Sequence, residues 1–172
     1  MTDSRLTQIS LLLLDVDGVL TTGQVIYDDA GREIKVFDVH DGLGIRLLQE
    51  VGIQVGIITG RRSMALVHRC RNLRINLLKD GIGDKAAALA AVLQETGVAA
   101  AATAFVGDDL PDLPAMRRVG VPIAVGDAHA LVKQAAAIIT RANGGHGAVR
   151  EIAERIIIAR GEWENLIDRR FS

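Results

Sequence analysis

The sequence predicts an α/β fold: one domain over 1–172 with a mostly parallel sheet flanked by helices and a β-hairpin after the first strand. Two observations carry this. Short apolar runs of strand length alternate with helix-period segments almost end to end, the pattern of successive strand–helix units. The first run, Leu11 to Leu14, is continuously apolar rather than alternating, as a strand covered on both faces should be. A length of 172 residues suits a single sizeable core.

The first strand is predicted over about 11–16. Segments 24–27 and 33–37 flank Asp28-Asp29-Ala30-Gly31, a strong turn signal, and read as a hairpin spanning about 24–37. A helix should start near Asp41-Gly42, bury Leu43, Leu47, Leu48 and Val51, and stop at Gly52. Strand 53–58 leads into Thr59-Gly60-Arg61, a helix runs to about 72, and a short strand covers 75–78. Asp84 can cap an Ala-rich helix over 85–96 that Gly97 terminates. Strand 103–106 leads to Gly107-Asp108-Asp109, followed by a helix at 113–119, a strand at 121–125 and a helix–strand unit to 139. The last amphipathic helix begins near His146, with Val149, Ile152, Ala153, Ile156 and Ile157 on one face and Glu151 paired with Arg155. Helix and tail together span 146–172, and the polar end, 161–172, reads as frayed.

Bulk properties exclude several functions. Hydrophobic residues make up 49% and charged residues 24%, and 20 basic against 21 acidic side chains leave a net charge of −1. Nothing in that balance suggests nucleic-acid or membrane-surface binding. Aromatic residues, at 3%, supply no stacking platform for single strands. No apolar stretch approaches the ~20 residues of a membrane span. The amino terminus is polar, so a cytoplasmic location is expected. Cys70 is alone and reads as a small hydrophobe on a helix. His40, His68, His129 and His146 lack metal-ligand spacing, and Gly42-x-Gly44 lacks the third glycine of a dinucleotide fingerprint.

The chemistry lies after the apolar strands. Asp15-x-Asp17-Gly18, Thr59-Gly60-Arg61 and Gly107-Asp108-Asp109-x-x-Asp112 each follow one, and Lys85 starts a helix. Parallel strands end at one edge, where these distant residues can meet. Singly, each has a bland reading: paired aspartates form turns, Thr59-Gly60 caps, Lys85 is solvated, and Asp109 and Asp112 complement a helix dipole. Together they are the parts phosphoryl transfer requires: a nucleophile, an oxygen-ligated cation and donors to the equatorial oxygens. An all-oxygen ligand set suits Mg2+ better than zinc.

The order of these four motifs, covering nearly the whole chain, resembles the haloacid dehalogenase superfamily of phosphohydrolases. The resemblance implies a Rossmann-like fold in which Asp15 attacks phosphorus and Asp17 protonates the departing alkoxide. Thr59 and Lys85 would hold phosphoryl oxygens. Asp15, Asp108 and the Asp17 carbonyl would bind Mg2+, with Asp109 and Asp112 orienting Lys85 or metal-bound water. Many members carry a cap domain, but hairpin, helix and strand fill the chain between Asp15 and Thr59, so this one should be capless. A capless site is open to water, and either a large substrate or neighbouring subunits would have to close it.

Two further stretches, Phe37-Asp38-Val39-His40-Asp41-Gly42-Leu43-Gly44-Ile45-Arg46 and Gly144-Gly145-His146-Gly147-Ala148-Val149-Arg150-Glu151, resemble the 3-deoxy-D-manno-octulosonate 8-phosphate phosphatase family. That resemblance implies a homotetramer built through its hairpins, a small-molecule sugar phosphate as substrate, and release of free Kdo for lipopolysaccharide synthesis. Asp38, Val39, His40, Asp41 and Gly42, with Arg46, Gly60, Arg61 and Arg69, would contact substrate, and the tail from Gly144-Gly145 resembles a part that reaches over a site. Several guanidinium groups suit a ligand carrying phosphate and carboxylate. Thr21-Thr22-Gly23 departs from the family by losing a carboxylate, and Asp38 and His40 replace Asn and Arg. A sister family acting on nine-carbon sugar acid 9-phosphates carries Thr-Gly-Glu at the second motif, so Arg61 favours the eight-carbon substrate. A phospho-accepting receiver domain and a non-catalytic oligomerisation module remain as alternatives. The first places its acceptor on the third strand, and the second needs none of the motif set.

Overall fold

The computed structural model describes residues 4–171. Ser4–Gln8 form a 3-10 turn, and the amino-terminal expectation for 1–3 lies outside the described residues. In chain order the strands are β1 (Leu11–Leu14), β2 (Ile26–Tyr27), β3 (Glu33–Ile34), β4 (Gln54–Ile58), β5 (Leu77–Lys79), β6 (Thr103–Gly107), β7 (Val121–Ala124) and β8 (Ile138–Ile139). The helices are α1 (Val39–Glu50), α2 (Met64–Leu73), α3 (Lys85–Thr96), α4 (Leu113–Met116), α5 (Ala130–Ala135), α6 (Ala148–Ala159) and α7 (Trp163–Phe171).

Six strands make one parallel sheet in the order β5-β4-β1-β6-β7-β8, with the β2–β3 hairpin separate. Leu11 to Leu14 pair with Gln54 to Ile57 on one side and Thr103 to Val106 on the other. All four leucines are completely buried, which explains the unbroken apolar run. The chain builds outward from β1 first through β4, then through β6. The crevice at the carboxyl end of β1 is therefore a topological switch point, the place where open α/β sheets bind ligands.

Local chemistry sets several boundaries. Asp84 Oδ1 accepts from the amides of Ala86 and Ala87 at 2.9 and 3.0 Å, so α3 begins at Lys85, and Gly97 ends it in the left-handed region. Asp28 Oδ1 accepts from Ala30 and Arg32, and Gly31 takes a positive φ, which closes the predicted turn. The hairpin pairs over fewer residues than expected, because Lys35 turns inward from it.

α1 departs in part from its predicted face. Leu47 and Leu48 are buried as expected, with Asp41, Gly44 and Ile45 beside them, whereas Leu43 and Val51 are only half-buried. A Cβ at Gly44 would lie 3.0 Å from Arg150 Cα and 3.2 Å from Ala153 Cβ, so this glycine lets α1 and α6 pack closely. The apolar face predicted for α6, Val149 to Ile157, is completely buried. Its frayed-tail expectation is corrected. Residues Trp163–Phe171 are helical, Leu166 is buried, and Arg170 ion-pairs with Glu50. Helix formation here follows from one buried anchor and a charge pair, a pattern too short to stand out as periodicity.

Candidate active site

β1 ends at Leu14, and the next residue, Asp15, is buried at the sheet edge. Lys85, also buried, sits at the first position of α3 with Nζ 2.8 Å from Asp15 Oδ1 and 2.5 Å from Asp112 Oδ1. Asp112 is fixed further by the amides of Asp108 and Asp109, which donate to Oδ2 at 2.9 and 3.3 Å. The expected orientation of Lys85 thus falls to Asp112. Asp109 instead caps the following 3-10 turn through the Leu110 amide, at 2.8 Å. Thr59, directly after β4, is buried, and Asp15, Asp17, Thr59, Gly60, Arg61, Lys85 and Asp108 all line one cavity of about 310 Å3.

The electrostatics fit a cation. Asp15, Asp108 and Asp112 place carboxylate oxygens within 4.8 Å of one another. Burial, then Asp112, pushes the Asp15 pKa up to about 6 against the opposing Lys85 ammonium. For Asp108, burial followed by Asp112, Asp15 and Asp109 pushes it to about 8. Burial works against the Lys85 charge, but Asp15 and Asp112 outweigh it and hold the ammonium above its ordinary pKa. Asp108 Oδ1 is buried without a hydrogen-bond partner. Gly18, with a positive φ, admits that carboxylate where any Cβ would collide with it. A dication is what such a crowded set of oxygens lacks.

Other predicted residues lie elsewhere. Arg46 is two turns into α1, which leads away from the sheet's carboxyl edge. Its guanidinium donates to Gln49 at 2.6 Å and lines a different hollow with Arg74 and Asn76. Arg69 donates to the Asp38 carbonyl at 2.9 Å, stacks over Phe37 and packs beneath Gly42, so it braces the start of α1. Asp38 caps α1 and holds His40 Nδ1 at 2.9 Å, while Val39 is exposed. Asp41 is buried and accepts from the Arg150 amide at 2.8 Å. Gly144 and Gly145 pack closely against the loop that follows β1, with Gly145 donating to the Val19 carbonyl at 2.9 Å, so they brace that loop. Thr21 is buried in that loop and Thr22 is exposed.

Sequence reasoning missed the hairpin's part. Lys35 donates to Asp17 Oδ1, and Arg61 Nη2 meets Glu33 Oε1 at 2.7 Å and the Tyr27 hydroxyl at 3.4 Å. Arg61 precedes α2 rather than sharing a helix with Arg69. The alternation Glu33-x-Lys35 places both charges on one face of a strand, but says nothing of where that face docks.

The chain belongs to the haloacid dehalogenase-like hydrolases, whose family model matches residues 72–152. Among its relatives, the 3-deoxy-D-manno-octulosonate 8-phosphate phosphatase of Escherichia coli K12 is 42% identical over 161 residues, covering 94% of this chain and 86% of the relative. A crystal structure of the Moraxella catarrhalis phosphatase of the same name, in complex with magnesium, phosphate and KDO, aligns with a TM-score of 0.93 at 39% identity, over 96% of this chain and 95% of that one. The cobalt-bound Haemophilus influenzae enzyme aligns at 0.89 and 43% identity, over 91% and 92%.

Proposed function

We propose that the protein is a magnesium-dependent phosphomonoesterase that hydrolyses 3-deoxy-D-manno-octulosonate 8-phosphate to Kdo and phosphate, supplying lipopolysaccharide precursor synthesis. One observation carries the reading: the buried Lys85 ammonium 2.8 Å from Asp15, beside a carboxylate cluster with an unpartnered oxygen. Relatives that this chain matches over most of its length are named for action on this ester.

Asp15 is the nucleophile. Its carboxylate forms a bond to phosphorus as the bond to the substrate's ester oxygen breaks, and Asp17 gives its proton to the departing alkoxide. Asp17 then takes a proton from the water that attacks the aspartyl-phosphate, releasing phosphate and restoring both carboxyl groups. Thr59, Lys85 and the backbone after Asp17 hold phosphoryl oxygens. Asp15, Asp108 and the Asp17 carbonyl would hold Mg2+, which would supply positive charge to offset the phosphate's against the approaching carboxylate. Asp112 keeps Lys85 aimed at Asp15, and Asp109 fixes the loop beside it.

Arg61, at the cavity wall, is the residue we assign to the sugar acid's carboxylate. The exposed Val39 and His40, carried by Asp38, face outward, which suits contact with substrate held by a neighbouring subunit. Val25, Ile26, Tyr27, Ile34 and Val36 leave an exposed apolar face on and beside the hairpin, which supports a homotetramer joined there. No described helix is long and apolar enough to cross a membrane. A phosphorylated sugar acid does not diffuse across membranes, so we place the protein in the cytoplasm, as one domain. The test is phosphate release from a panel of eight- and nine-carbon sugar-acid phosphates, with magnesium and after chelation. The eight-carbon ester should be preferred and chelation should stop turnover; equal rates with chelator would overturn the reading.

A further inference from the structure

Lys35 follows β3 on a solvent-facing hairpin, yet only 3% of its side chain is exposed. Its ammonium donates to Asp17 Oδ1 and lies 3.4 Å from Glu33 Oε1. Glu33 in turn receives Arg61, whose Nε stands 3.7 Å from Asp17 Oδ2. Two anions and two cations therefore alternate around one ring that joins the hairpin to the loop after β1. Burying a lysine is costly unless its charge is paired, so the inward turn calls for an explanation. Asp17 and Arg61 line the cavity, whereas Lys35 reaches Asp17 from outside it.

We propose that Lys35 is a positioning residue for Asp17, fixing which carboxyl oxygen carries the proton delivered to the leaving group. This rests on the acid role given to Asp17 above. A free aspartyl group has two equivalent oxygens and a broad χ2. A donor held on Oδ1 removes that equivalence. It leaves Oδ2, on the Arg61 side, as the oxygen for proton traffic. A general acid acts only from hydrogen-bond reach of its target, so small losses of orientation are costly for leaving groups that need the proton.

The test compares kcat/KM, which covers the steps through leaving-group departure, for the sugar-acid 8-phosphate and for 4-nitrophenyl phosphate in the full-length protein. An alkoxide needs the proton, whereas nitrophenolate leaves without it. Lys35→Met should lower kcat/KM for the sugar phosphate about 10- to 100-fold, part of the range general-acid catalysis supplies, and for the aryl phosphate less than about threefold. Lys35→Arg should recover most of the lost sugar-phosphate activity. In an Asp17→Asn background, Lys35→Met should add nothing further. Equal losses on both substrates, or an additive loss on top of Asp17→Asn, would overturn the assignment. Should Lys35→Met misfold, Lys35→Gln in the same two assays decides it. The reading beneath is tested separately, because Asp15→Asn must silence both substrates whatever Lys35 does.

Discussion

Asp41 and Asp108 are carboxylates in the same predicament with different company. Burial raises the pKa of each, and each keeps one oxygen without a hydrogen-bond partner. Around Asp41 stands the start of α6: the Arg150 amide donates at 2.8 Å, and the Gly147 and Val149 amides also favour its charge. Because Gly147 has no side chain with which to cap α6, Asp41 supplies the missing acceptor from another helix. Asp38, a like charge, works against the Asp41 carboxylate. Around Asp108, by contrast, Asp112, Asp15 and Asp109, all of its own sign, outweigh the opposing Lys85. Burial and an orphaned oxygen therefore do not by themselves mark a cation site. The sign of the neighbouring groups does. Asp41 is answered by the fold, and Asp108 is left for something that arrives.

The hardest break in that contrast is Asp15→Asn. It removes the proposed nucleophile and one of the crowded charges at once. Turnover should fall by at least about 10⁴-fold, the scale on which loss of a nucleophile shows in other hydrolases, while circular dichroism stays that of the folded protein. Phosphate release near the wild-type rate would sink the mechanism.

Asp108→Asn is next. Turnover should fall at least about 100-fold, as when one electrostatic stabiliser is removed from a hydrolase site. Stability gives an independent reading. The folded-state pKa of Asp108, about 8, lies above the ordinary aspartate value of 3.8. Between those values the native state binds more protons than the unfolded chain, so metal-free stability should fall as pH rises through that window. Asp15, at about 6, adds to the same trend in its lower half. Melting of chelated protein should thus occur at lower temperature at pH 8 than at pH 5, and Asp108→Asn should flatten the slope. Magnesium at a hundredfold excess over its Kd should restore about 2.7 kcal/mol at pH 8, and the variant should not respond. An unchanged magnesium response in Asp108→Asn would refute its place in the site.

What could be read in advance follows the range of the interactions. α3 was legible to the residue because its cap, Asp84, and its stop, Gly97, lie within the segment they bound. The meeting of Asp15, Thr59, Lys85 and Asp108 was legible because parallel strands end at one edge, whatever the details of the helices. Arg46 lies away from this chain's cavity, and the geometry for expecting that was available. Eight residues beyond Asp38, a helix rising 1.5 Å per residue has moved about 12 Å from the edge where it began. Lys35 and Glu33 were invisible for a different reason. Their contacts cross from a separate hairpin to Asp17 and Arg61, and no local pattern records where a hairpin docks. The pair Gly42-x-Gly44 could be excluded as a cofactor loop, but its purpose needed the neighbours: Arg69 against the first and α6 against the second.

Asp41→Ala is the gentlest of the tests and the one that separates the two carboxylates most cleanly. Removing a side chain that caps a helix costs about 1 kcal/mol, which for a domain of this size lowers Tm by roughly 2–4 °C. The amides at the start of α6 would be left buried without an acceptor, so the loss should be mostly in stability, with α6 fraying first in hydrogen exchange. Asp41 lies among the residues that resemble the sugar-binding stretch, yet it is buried and its Oδ1 is engaged by the Arg150 amide. The magnesium-induced rise in Tm and the KM for the sugar phosphate should both match wild type at a temperature where the variant is folded. A KM raised severalfold with stability unchanged would mean that Asp41 serves the substrate after all, and that the amides of α6 are satisfied without it.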